Sequence, residues 1–237
     1  MKIALIGYGA MGQLVEKLAG EKGHEIALRM TSRDAARSGD EIRAELSSCD
    51  VAIDFSVAAA VVRNMEMCVA AGVPLVEGTT GWDIDRNELV RMIEDADGSL
   101  IYGANFSVGA QLFFRIAGSA AELFQNLESY DAFIEEAHHR RKRDAPSGTA
   151  IKLGEIVANH LGREVPISST RAGHIPGTHR VGFDSSADQI TLEHVARSRE
   201  GFAQGALMAA EWIVEHKGIY EFSEVFDEIL GQRGTET

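Results

Sequence analysis

The chain has 237 residues, 45% hydrophobic and 25% charged, with a formal net charge of -13. This balance describes a globular protein with ample core for one large domain or two modest ones, and its acidity argues against a general nucleic-acid binder. No apolar run approaches the ~20 residues of a membrane-spanning helix, and Cys49 and Cys68 stand too far apart for a C-x-x-C metal or disulfide motif.

The N-terminus, Met1-Lys2-Ile3-Ala4-Leu5-Ile6, has the apolar start of a signal peptide but meets glycine too soon and has no small-residue cleavage site. It reads instead as a buried strand, Lys2–Ile6, in a cytoplasmic protein. Gly7-Tyr8-Gly9-Ala10-Met11-Gly12 follows at once, and Met11, Leu14, Val15 and Leu18 then share one helical face. A lone G-x-G-x-x-G is a weak signal, and a glycine-rich turn without a ligand is the alternative. Between a strand and a helix it becomes a dinucleotide loop: Gly7 for the turn, Gly9 for approach of the pyrophosphate, Gly12 for helix–strand packing. Gly7, Gly9, Ala10, Met11 and Gly12 are its candidate cofactor contacts.

The alternation continues. Glu25–Met30 predicts a second strand, Val51–Phe55 a third, and Ala58–Ala71 a helix with Val61, Met65 and Val69 inward. Pro74–Glu77 predicts a fourth strand, Glu88–Asp95 a helix around Leu89 and Ile93, and Leu100–Ala104 a fifth strand. Strands alternating with helices imply a parallel, doubly wound sheet with ligands outside the strand C-termini. Asp54-Phe55-Ser56, Gly78-Thr79-Thr80-Gly81 and Ala104-Asn105-Phe106-Ser107 are the turns at those ends.

From Val108 the pattern changes. A helix to about Phe124, with Leu112, Ile116 and Leu123 inward, precedes a strand over Tyr130–Ala137. Strand-like runs recur at Val165–Thr170, Arg180–Phe183 and Gln189–Ala196, the last alternating as a sheet with one covered face does. Successive strands imply a mixed or antiparallel sheet and an α+β second domain. His174 and His179 lie in a long loop region; two neutral ligands without thiolates do not make a metal site, so they read as surface or interface histidines. Phe202, Ala206, Ala210 and Ile213 mark a last long helix, and Gly231–Thr237 reads as a frayed tail.

Glu135–Ala150, E-E-A-H-H-R-R-K-R-D-A-P-S-G-T-A, carries the densest chemistry. Ala150, Leu153, Val157 and Leu161 have helical spacing up to Gly162, and Ser147 or Thr149 can cap the helix. Such an N-terminus is an anion site, Lys142 adds a mobile charge, and two histidines can move protons near neutral pH. The bland alternative is a solvated basic loop before an ordinary helix. One basic island on an acidic chain fits a small anionic ligand better than a polyanion.

Glu136 through Ala150 closely resemble the signature of the dihydrodipicolinate reductase family. The resemblance implies His138 as proton donor with Lys142 as the second catalytic group, and His139, Ser147, Gly148 and Thr149 around the substrate. It extends to G-T-T-G and A-N-F-S, which implies that Gly78, Thr80, Ala104 and Phe106 lie at the cofactor, with Thr80 also near the substrate; a core aromatic at a domain junction is the alternative for Phe106. It extends further to Arg171-Ala172-Gly173 and Gly177-Thr178-His179, in a domain whose sheet builds a homotetramer in the family.

An α/β protein is therefore expected: a doubly wound, Rossmann-type parallel sheet formed by residues 1–106 and 201–237, and a smaller α+β mixed-sheet substrate and oligomerisation domain over 107–200. The expected activity is NAD(P)H-dependent reduction of 4-hydroxy-tetrahydrodipicolinate to tetrahydrodipicolinate in lysine and diaminopimelate synthesis. The partner is a small dicarboxylate, with no metal, nucleic acid or membrane involved. Another two-domain amino-acid dehydrogenase, or a non-catalytic dinucleotide sensor, are the alternatives; the His138–Lys142 pair argues against a sensor. An NAD-specific site carries an acid about 20 residues past the glycine loop. Here Ser32 and Arg33 stand at that place, followed by Asp34, so NADPH is expected over NADH.

Overall fold

A computed structural model describes residues 1–233. It divides into two compact units, Met1–Ser107 with the chain from Arg199 onward, and Val108–Ser198.

The first unit is a six-stranded sheet flanked by helices. In chain order its elements are β1 (Lys2–Ile6), α1 (Ala10–Glu21), β2 (Glu25–Met30), α2 (Gly39–Leu46), β3 (Val51–Asp54), α3 (Val61–Ala71), β4 (Leu75–Glu77), α4 (Arg86–Glu94) and β5 (Ser99–Tyr102). After the second unit come α7 (Glu200–Ile213), β10 (Gly218–Glu221) and α8 (Phe222–Arg233). The strand order is β10-β5-β4-β3-β1-β2, all parallel. The chain reverses direction across the sheet between β1 and β3, the switch point at which open sheets of this kind bind ligands. All four residues of β3 are buried, as are Ile3–Ile6 of β1, because helices cover both faces. Ala4, Ile6, Ala52, Leu75 and Leu100 join Met65 and Cys68 of α3 in one apolar core.

Three elements of this unit escape the sequence reading. In α2 only Ile42 and Leu46 are buried, too few to mark a period. The four-residue β10 is only partly buried along its length. By contrast, α8 carries a legible signal, Phe222, Phe226 and Ile229 at helical spacing and buried. Gly231–Arg233 therefore extend a helix and are not a frayed tail, whereas 234–237 lie outside the described residues.

The second unit contains α5 (Val108–Phe124), β6 (Asp131–His138), α6 (Gly148–Leu161), β7 (Ile167–Arg171), β8 (Gly177–Asp184) and β9 (Gln189–Ala196). Its sheet runs β7-β6-β8-β9, with β6–β7 parallel and the other pairs antiparallel. Phe113, Phe114, Ala117 and Ala121 of α5 meet Ile134, Leu153, Val157 and Phe183 in the core, where Phe124 stacks on Phe183 at 4.2 Å. The expected inward face of α5 is thus reversed: Leu112, Ile116 and Leu123 are 40, 52 and 79% exposed. A helix apolar almost all round gives no contrast from which to choose a face, and the flat rings of Phe113 and Phe114 settle it by covering the sheet. Among the described residues, no helix is long and apolar enough to cross a membrane.

Candidate active site

In the first unit, the C-terminal ends of β1, β2 and β3 surround a cavity of about 460 Å³ lined by Gly7, Gly9, Ser32, Asp34, Ser56 and Arg63, among others. Gly7 has φ +85°, and a Cβ there would lie 2.5 Å from the Phe55 carbonyl oxygen. A Cβ on Gly12 would lie 2.5 Å from the Gly7 carbonyl, so the tight loop admits only glycine at both places. Around Gly9 the space is open, and α1 starts there at Ala10 and Met11 with no side chain capping it. Free N–H groups, the positive helix end and an open approach make a cradle for a pyrophosphate, so these residues fit a pyridine dinucleotide.

The residues beyond β2 form a short turn. The Asp34 carboxylate is folded back on it, accepting from Thr31 N–H at 2.8 Å and from its hydroxyl at 3.0 Å. Arg37 lies 3.4 Å from the other carboxylate oxygen. Ser32 lines the cavity, whereas Arg33 is exposed and outside its lining; the arginine in that lining is Arg63 of α3. Past β4, Gly78 passes over the Phe55 ring so closely that a Cβ would approach it to 2.2 Å. Thr80 and Ala104 are exposed at the sheet's C-terminal edge. Phe106 is not: it is 1% exposed, its ring 4.6 Å from that of Phe222. Its ring is a core element, and the Phe106 carbonyl lies where a Cβ on Gly205 of α7 would stand, so only glycine fits there.

In the second unit, four elements deliver polar groups to one place. Glu136 and His138 sit two residues apart on β6 and so share a face. The Glu136 carboxylate is 3% exposed, with Oε2 2.5 Å from His138 Nδ1. Arg171 of β7 grips the same carboxylate with both terminal nitrogens, at 2.8 and 2.5 Å. Ser147 N–H, just before α6, donates to Glu136 Oε1 at 3.2 Å. Ser147 is also the α6 cap, accepting from Ala150 N–H at 3.3 Å, and its hydroxyl meets His179 Nε2 at 3.1 Å. The rings of His138 and His179 lie 5.1 Å apart. His139 is half-buried at the end of β6, Gly148 is exposed at the start of α6 with open space around it, and Thr149 follows. Lys142, in the connecting loop, pairs with Asp144 at 2.9 Å.

The electrostatics follow from burial and charge. Burial alone would raise the Glu136 carboxyl, but hydrogen bonds from Arg171, Ser169 and His138 outweigh it and hold the group at about 2. Burial lowers His138; Glu136 pulls it back up, and the Lys142 and Arg171 charges push it down again. A bound dianion would favour the protonated imidazole. His179 is lowered to about 4, first by burial and then by His138, and is neutral at physiological pH.

Glu136, Arg171 and His179 are the groups that sequence reading leaves without a role. The signal for the first was the i, i+2 spacing with His138. His179, expected at a surface, is buried because the β6–β8 register sets it opposite Glu136, while His174 is exposed. Among the described residues, Glu136, His138 and His179 offer ligand atoms within 4.8 Å of one another. The guanidinium of Arg171 already occupies both Glu136 oxygens and opposes a cation there, so the set is built for hydrogen bonds.

Profiles of two family domains match the chain: dihydrodipicolinate reductase, N-terminus, over residues 1–106, and dihydrodipicolinate reductase, C-terminus, over 109–226. A 4-hydroxy-tetrahydrodipicolinate reductase of Christiangramia forsetii is 38% identical over 97% of this chain and 99% of its own. One of Methanosarcina barkeri is 38% identical over 76% of this chain and 73% of its own. Among solved structures, a dipicolinate-bound dihydrodipicolinate reductase from Paenisporosarcina sp. TG-14 superposes with a TM-score of 0.77 at 23% identity, covering 95% of this chain and 99% of its own. With both halves matched and one relative aligned nearly end to end, this chain belongs to the dihydrodipicolinate reductase family.

Proposed function

We propose that the chain reduces 4-hydroxy-tetrahydrodipicolinate to tetrahydrodipicolinate with a reduced pyridine nucleotide, on the route to diaminopimelate and lysine. The observation that carries this reading is His138, oriented by the buried Glu136–Arg171 pair, close to Lys142 and the N-terminus of α6. A proton donor beside an anion cradle suits a substrate that bears two carboxylates and must shed a hydroxyl.

A reduced nicotinamide held at the first unit would supply the hydride. Hydride takes the place of the ring hydroxyl, and one proton leaves with that hydroxyl as water. With Nδ1–H donated to Glu136, His138 presents Nε2 as the atom that delivers that proton. Lys142 and the N–H groups of Gly148 and Thr149 hold a substrate carboxylate, with His139 completing the contacts. The related structure bound to dipicolinate, a planar dicarboxylate, supports this substrate class.

NADPH is the proposed preferred nucleotide, with NADH also accepted. The support is a cavity lined by Ser32 and Arg63, while the carboxylate of Asp34, also in that lining, is turned into its own loop. A homotetramer is the proposed assembly, supported by the exposed Ile190 and Val195 on the edge strand β9; light scattering coupled to gel filtration tests it. Supplying the product of the preceding synthase and following nucleotide absorbance tests the activity. Absence of turnover with either nucleotide would overturn the assignment.

A further inference from the structure

Asp54 ends β3 and Glu77 ends β4, and the two are paired directly in the parallel register. Partners in register on neighbouring strands are about 5 Å apart and point to the same face. Both side chains are fully buried. Asp54 Oδ1 accepts from Ser56 N–H and Oδ2 from the Asn64 amide, each at 2.7 Å. Glu77 Oε1 accepts from Thr79 N–H at 2.6 Å. The Thr79 hydroxyl ties the two turns together, receiving Ser56 N–H at 3.1 Å and lying 3.4 Å from Asp54 Oδ1. Glu77 Oε2 is buried and meets no hydrogen-bond partner among the described residues, and the in-register neighbour of Glu77 on β3 is Asp54.

Two ionised carboxylates are not sustained side by side in a buried place, whereas one acid and one carboxylate satisfy each other through a single O–H···O bond. The surroundings agree. From α3 come the Asn64 amide, the Cys68 thiol and Arg63, which lines the cavity. Tyr102 on β5 is the other in-register partner of Glu77, and the buried residues of α7, which packs on β3, β4 and β5, are all apolar. Burial, and then the charge of Asp54, pushes the Glu77 carboxyl well above the usual range. Burial also raises Asp54.

Such a pair costs stability. A carboxyl raised in the folded state stabilises fully below its ordinary pKa, and that contribution is lost as pH rises through the folded value. The pair stands at the base of two turns flanking the proposed nucleotide site, Phe55-Ser56-Val57 and Gly78-Thr79-Thr80, and costly arrangements collect where function needs a fixed geometry.

We infer that Asp54 and Glu77 share a single proton and act as a positioning pair for these two turns, so that nucleotide binding requires the pair to be singly protonated. This rests on the nucleotide site proposed above. Loss of the proton leaves two buried charges in contact; the strand ends move apart, and the Ser56 and Thr79 N–H groups that hang on them lose their fixed positions.

The test is a fluorescence titration of the full chain with NADPH, and separately NADH, between pH 7 and 10. Wild-type affinity is expected to fall by about tenfold or more across that range, the equivalent of one hydrogen-bonded anchor. In Glu77→Gln the amide keeps an acceptor for Thr79 N–H and a donor for Asp54 but cannot titrate, so binding should match wild type at pH 7 and stay level above it. Glu77→Leu, which lacks both groups, should bind weakly at every pH. Infrared spectra should show the carbonyl stretch of a protonated carboxyl at pH 7 in wild type and lack it in Glu77→Gln. A level wild-type profile, a Glu77→Gln profile with the wild-type slope, or an absent carboxyl band would overturn the inference. If neither nucleotide bound at any pH, the proposed cofactor site would fall, and the infrared band alone would decide whether the proton is shared.

Discussion

Glu136 Oε2 lies 2.5 Å from His138 Nδ1, and the same carboxylate is gripped from the other side by Arg171. The acid is locked in its ionised form and the imidazole is locked in one tautomer. A histidine held in this way has one free nitrogen, Nε2, and its proton can be delivered in only one direction.

If His138 is the proton donor, His138→Gln should lower kcat by about 10²–10⁴-fold, the usual contribution of a general acid. Nucleotide affinity should stay at the wild-type value, because the substitution lies in the second unit. Near wild-type kcat in a steady-state assay would remove His138 from the mechanism.

For Glu136→Gln, the loss should fall on kcat and on the pH profile more than on KM. A neutral amide no longer favours the imidazolium, so the acidic group seen in kcat/KM should titrate at lower pH than in wild type. There is also a stability consequence. The Glu136 carboxyl is depressed to about 2, so its contribution is fully present above the ordinary carboxylate range and is lost as pH falls towards the folded value. In acid denaturation followed by circular dichroism, the variant should lose less stability than wild type between about pH 5 and 2. Superimposable curves would show that the Arg171 clamp adds nothing to folding.

The Lys142 ammonium helps to lower His138 and pairs with Asp144. Losing a charge-assisted contact costs about 1.5–3 kcal/mol, so Lys142→Ala should weaken dipicolinate binding by about 10–100-fold in calorimetry. Unchanged affinity would return Lys142 to a solvated basic loop.

Discrimination between nucleotides divides two arginines. Arg63 lines the cavity and Arg33 does not. If a 2′-phosphate is recognised there, Arg63→Ala should weaken NADPH by about tenfold or more and barely alter NADH. Arg33→Ala tests whether the exposed side chain folds in on binding: a similar NADPH-selective loss is expected if it does. Equal losses for both nucleotides in both variants would show that neither arginine reads the 2′ position.

The sequence by itself determined whatever depends on neighbours in the chain. The strand-loop-helix around Gly7, Gly9 and Gly12 was legible from the spacing of its glycines: Gly7 has a positive φ, a Cβ on Gly12 would meet the Gly7 carbonyl, and the space around Gly9 is open. The Ser147 cap and the Gly162 stop of α6 were legible for the same reason, and the run from Glu136 to Ala150 carried enough specific residues to imply the family. Tertiary structure decided what depends on register and on which face is covered. The inward face of α5 was misjudged because leucine, isoleucine and phenylalanine surround the helix, and only packing against the sheet separates them. His179 became part of the site because the antiparallel register of β6 and β8 sets it opposite Glu136, across more than forty residues of chain that no local pattern spans. The Phe106 ring lies in the core against Phe222, and Asp54 met Glu77 because β3 and β4 pair in register. Side-chain periodicity names the faces of an element, but which face is buried, and against what, is a property of the assembled sheet.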